Sequence, residues 1–79
     1  MTATNLLQML EFAERRTLAH RHVKEGRRIL ERQRQIIAQK KAADLDTGSS
    51  EQLLAQFEIS QKLFEEDLAS LLREATRHR

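Results

Sequence analysis

Residues 44–50 read Asp-Leu-Asp-Thr-Gly-Ser-Ser (DLDTGSS), the one cluster of turn-forming residues in a chain otherwise built from helix formers. On both sides apolar residues recur at helical spacing, so a single break implies two helices. The first is expected from about residue 5, where Asn5 with Gln8 has capping-box form, to about residue 43. The turn covers 44–49, and the second helix runs from about 50 to 77, with Thr47, Ser49 or Ser50 as candidate caps. The whole chain, 1–79, reads as one domain.

Length sharpens this reading. A chain of 79 residues buries only about 60% of the surface it exposes unfolded, so a lone core is marginal. It has no Cys for disulfides and no Cys/His spacing for a structural zinc. Idealised helix packing or self-association remains as support, with self-association the default expectation. No apolar run approaches a membrane span, and the N-terminal segment MTATNLLQMLEFAERR has neither a basic leader nor a cleavable apolar stretch. A cytoplasmic protein is expected.

A heptad fits both arms. With Val23, Leu30 and Ile37 at a, Ala19, Gly26, Gln33 and Lys40 fall at d. The second arm takes Leu54, Gln61, Leu68 and Ala75 at a, with Phe57, Phe64 and Leu71 at d. A short connection makes the arms antiparallel, so an a position of one faces a d position of the other. The register that sets Gln33 opposite Gln61 also sets Gly26 opposite Leu68, Leu30 opposite Phe64 and Lys40 opposite Leu54. Two amides can then bond each other, whereas an amide facing Leu would lose about 1 to 3 kcal/mol. Gln33, Gln61 and Gly26 are therefore the candidate register-setting residues, joined at the seam edge by His22 facing Asp67. Gly26, which costs about 1 kcal/mol inside a helix, would admit a bulky neighbour or a close backbone, or be simply tolerated.

Charge supports the hairpin. Residues 11–41 carry ten bases against four acids, a net of +6, and residues 44–79 carry eight acids against four bases, a net of −4. The expected flank pairs are Arg27 with Glu65, Arg34 with Glu58 and Lys41 with Glu51. The basic run is thereby assigned to pairing within the chain. Nucleic acid is the weaker reading: Arg15, Arg16, Arg21, Lys24, Arg28 and Arg32 remain over, but there is no Trp or Tyr for base stacking.

Apolar residues exceed what a two-helix seam uses. Ile29, Ile36 and Leu53 widen the stripe, Leu63 and Leu72 add to it, and in this register Arg79 lies level with Arg15. Leu6, Leu7, Met9, Leu10 and Phe12 then project beyond the second arm, to cover another subunit or fold back as a short helix. Together with Ile29, Ile36 and Leu53 they form the expected interface of a homodimer, two coiled-coil-like hairpins making a four-helix bundle. A membrane-surface anchor fits less well, because Glu11 and Glu14 nearly cancel Arg15 and Arg16.

Chemistry is sparse. His20 and His22 stand about 200° apart around a helix and cannot share a metal ion. His22 with Glu25 and Asp67 is conceivable as a metal site but short of carboxylates. No nucleophile and base at readable spacing and no glycine-rich phosphate loop appear. Neither catalysis nor a cofactor is expected.

The strings HVKEGRRILERQRQII, DT, LLAQFE and EEDLASLL resemble a group of small alphaproteobacterial proteins of unknown function. The resemblance spans about His22 to Leu72 and rests on His22, Val23, Glu25, Gly26, Ile29, Arg32, Gln33, Asp46, Thr47, Leu53, Leu54, Phe57, Glu58 and Asp67. It departs at Asp44-Leu45, where that group carries Gly-His, and it implies a helical hairpin with no chemistry attached. The expected function is a non-catalytic interaction or regulatory module that self-associates; the alternative is a small basic nucleic-acid-binding protein.

Overall fold

A computed structural model describes residues 3–77, with side chains from Asn5 onward. Two helices account for nearly all of it: α1, Ala3–Ala42, and α2, Gly48–Arg77, packed antiparallel as a hairpin. Long uninterrupted runs of Ala, Leu, Glu, Gln, Arg and Lys, without proline, explain their length. The molecule measures 63 × 16 × 16 Å, as two side-by-side helices require.

The break is built from two capping devices. At the end of α1 the Leu45 amide donates to Lys40 O at 2.8 Å and the Asp44 amide donates to Lys41 O at 3.1 Å. These are the paired bonds of a Schellman stop, and Asp44 takes the left-handed conformation that the motif demands, with φ 58°. Two residues on, Asp46 Oδ1 accepts from the Gly48 amide at 3.1 Å, and Thr47 O accepts the first helical bond of α2, from Glu51 N at 2.8 Å. The connection is therefore only residues 43–47. Helix α2 begins at Gly48, before the Ser49 and Ser50 offered as caps. Helix α1 already includes Ala3, so Asn5 stands inside its first turn and does not cap it.

The heptad seam is the buried face. Ala19, Val23, Leu30, Gln33, Ile37, Gln61 and Leu71 are buried, and Gly26, Lys40, Leu54, Phe57, Phe64, Leu68 and Ala75 are half-buried. The register, however, is displaced by one heptad from the one expected. Gln61 lies against Gly26, not opposite Gln33: a methyl group on Gly26 would overlap the Gln61 side-chain oxygen. In step with this, the Phe64 ring packs on His22, with ring centroids 5.0 Å apart.

A slide of seven residues keeps every a and d position in the seam, so apolar patterning alone does not choose between the two alignments. The polar groups and the turn do. In the observed alignment Gln61 Nε2 donates to Val23 O at 3.0 Å, and Gln33 Nε2 donates to Ser50 O at 2.9 Å. Each amide takes a backbone carbonyl of the opposite helix, and the expected amide-to-amide layer does not form. The expected alignment also set the turn over residues 44–49. Here Gly48, Ser49 and Ser50 are helical, and Ser50 is buried at the seam with its Oγ 2.6 Å from Lys40 Nζ.

Candidate interaction surface

The two flanks of the seam differ in kind. On one, Arg27 pairs with Glu65 at 3.1 Å and Lys41 with Glu51 at 3.5 Å; the third expected pair, Arg34 with Glu58, does not close to ion-pair distance. The side chains of the Arg27 pair are 70% and 47% exposed, so it contributes no more than about 0.2 to 1 kcal/mol. Both pairs survive the slide because long cationic side chains lean along the groove to reach carboxylates on the same flank.

The other flank is apolar. Ile29 is 39% and Leu53 41% exposed, with Ile36 half-buried between them. Leu18 and Leu63 border this strip and are exposed as well. Leu18 went unremarked in the sequence because it belongs to no seam position; its spacing of eleven residues from Ile29, three helical turns, would have revealed it. Further along the same flank His22 and Asp67 do not form the expected ion pair, since the imidazole is engaged with the Phe64 ring.

At the open end α1 outruns α2. Phe12 lies level with Ala75, and residues before Leu10 pass the level of Arg77, the last described residue. Leu6, Leu7, Met9 and Leu10 are 51 to 59% exposed along one straight helix, which does not fold back. Phe12 departs from the expected projection. The displaced register tucks it under α2, where it is half-buried, with the Arg15 and Arg16 guanidinium groups 5.5 and 6.0 Å from its ring centroid. Arg79, expected level with Arg15, lies outside the described residues. An open groove of about 870 Å³ runs here between Met9, Phe12, Ala13 and Arg16 on α1 and Glu74 and Ala75 on α2.

The outer face of α1 is basic. Arg28 is held by Glu25 at 3.0 Å, while Arg21, Lys24 and Arg32 have no ion-pair partner among the described residues. No group of three or more His, Asp or Glu side chains gathers in a metal-binding arrangement among the described residues, and His22 and Asp67 contribute to none. No helix among them is long and apolar enough to cross a membrane.

The hairpin is short of core. Among the described residues five apolar ones, Ala19, Val23, Leu30, Ile37 and Leu71, are buried, and no side chain is fully enclosed. The accessible surface is 6511 Å² for 9.2 kDa, where a compact monomer of that mass exposes about 4,900 Å². The excess, roughly 1,600 Å² per chain, is what the elongated two-helix shape exposes beyond a compact one. No protein-family model, curated protein or solved structure matches the chain.

Proposed function

We propose that the chain is a non-catalytic interaction module that associates with a second copy of itself, two hairpins completing a four-helix bundle. The observation that carries this is the mismatch between a five-residue apolar core and about 1,600 Å² of surplus surface. The apolar flank of Ile29, Ile36 and Leu53 and the leucines of the open end supply a surface to cover. Sedimentation equilibrium tests it: the expected mass is twice the 9.2 kDa of one chain, with helicity and assembly lost together on dilution. A cooperatively folded monomer at all concentrations refutes it.

A second reading rests on the outer face of α1. Arg21, Lys24 and Arg32, free of carboxylate partners, would meet a phosphate backbone without disturbing the apolar flank. Titration with generic duplex DNA and with RNA across a salt series separates the readings. Binding that falls steeply between about 50 and 200 mM salt supports a nucleic-acid role, and no binding at the lowest salt removes it.

A further inference from the structure

Given self-association, we infer how the two copies face each other: their apolar flanks meet, both connections lie at the same end, and α1 of each copy packs against α2 of the other. This rests on the reading above and goes beyond it by fixing symmetry and partner surface.

Two closed two-fold arrangements bring the same flank of both hairpins together. In one, the axis runs along the helices. It places α1 over the partner's α2, antiparallel, with each residue at its own level. In the other, the axis crosses the helices. It places α1 over the partner's α1 and puts the connections at opposite ends.

Charge separates these arrangements. Helix α1 carries ten bases and four acids, whereas α2 carries six acids and three bases. The axial arrangement alternates the two kinds of helix around the bundle, so every helix has two neighbours of opposite sign. The crossed arrangement sets two strongly basic helices side by side, and like-charge juxtaposition selects against it.

The apolar residues agree. In the observed register Ile36 lies within two residues, about 3 Å, of the level of Leu53, and Ile29 within the same distance of the level of Ser60. The axial two-fold therefore seats Ile36 on Leu53 of the partner subunit near the connection, and the small Ser60 of the partner subunit leaves room for Ile29. It also brings Leu6, Leu7, Met9 and Leu10 of both copies to one end, where two apolar overhangs cover each other. The ion-paired flank of Arg27 with Glu65 and Lys41 with Glu51 faces outward, where its charges stay hydrated.

The absence of native cysteine makes the test direct. Leu45, in the connection and 60% exposed, is replaced by Leu45→Cys and spin-labelled in the full chain, with sedimentation run on the same sample. The inference expects a dimer whose labels lie within about 30 Å, the width of a four-helix bundle with its label arms. A dimer with labels beyond about 30 Å overturns the arrangement and leaves self-association standing. A folded monomer overturns both. On the same footing, Ile29→Glu is expected to weaken the dimer about tenfold or more. Ile59→Glu, on an outward position that is 65% exposed, is expected to leave it unchanged; equal effects of the two overturn the assigned flank.

Discussion

Replacing Gly26 by alanine sets two well-defined effects against each other. Alanine is worth about 1 kcal/mol more than glycine in a helix interior, so on propensity alone Gly26→Ala stabilises α1. The added methyl would occupy the place of the Gln61 side-chain oxygen. The amide must then shift within the seam, abandoning the 3.0 Å bond to Val23 O. A buried amide left without its partner costs about 1 to 3 kcal/mol. The net expectation is a destabilisation centred near 1 kcal/mol, about 4 to 8 °C in melting temperature for a domain of this size. In a Gln61→Ala background the obstruction is gone, and the same substitution is expected to stabilise by about 1 kcal/mol. The cycle therefore predicts a coupling of about 1 to 3 kcal/mol between two residues 35 positions apart in the sequence. Urea midpoints of the four proteins, taken at one protein concentration, measure it. Equal stabilisation by Gly26→Ala in both backgrounds would show that Gln61 does not rest on Gly26, and the displaced register would fall with it.

Two further substitutions probe the turn and the core. Asp44 holds a left-handed conformation, with φ 58°, that costs a residue with a side chain about 1 to 2 kcal/mol. Asp44→Gly is therefore expected to raise stability by about 1 kcal/mol in thermal unfolding, and a loss would mean that this stop is not Schellman-type. Leu30→Ala empties a buried seam position and should cost about 2 to 5 kcal/mol, whereas Ile59→Ala, on the exposed outer face, should stay within about 0.5 kcal/mol. Similar urea midpoints for these two would contradict the assigned seam.

How much of this was legible in the sequence follows from what heptads encode. They encode which face is buried, and every a and d residue from Ala19 to Lys40 and from Leu54 to Ala75 is on that face. They do not encode axial position, because displacement by seven residues returns the same pattern. The decision passed to groups whose partners are backbone atoms, invisible to side-chain matching: Gln33 bonds Ser50 O and Gln61 bonds Val23 O. The helpful signs were present but weak. A glycine one heptad before Gln33 offers a notch for an opposing amide, and Asp44, a residue tolerant of left-handed backbone, marks a tight stop. The apolar flank was legible where it continues the stripe, at Ile29, Ile36 and Leu53. It was misjudged at Phe12 and at His22 with Asp67, whose surroundings depend on the register.

The five-residue connection also bears on the order in which the chain assembles. Its nearest cross-helix contacts, Lys40 with Ser50 and Gln33 with Ser50, are separated by 10 and 17 residues, whereas Gln61 with Val23 is separated by 38. Closing the short loops first costs less entropy, so the hairpin is expected to zip from the turn toward its termini. Amide exchange should then be slowest beside the connection and fastest at the open end. The leucines there would be the last part of the chain to settle, and the first able to let a partner go.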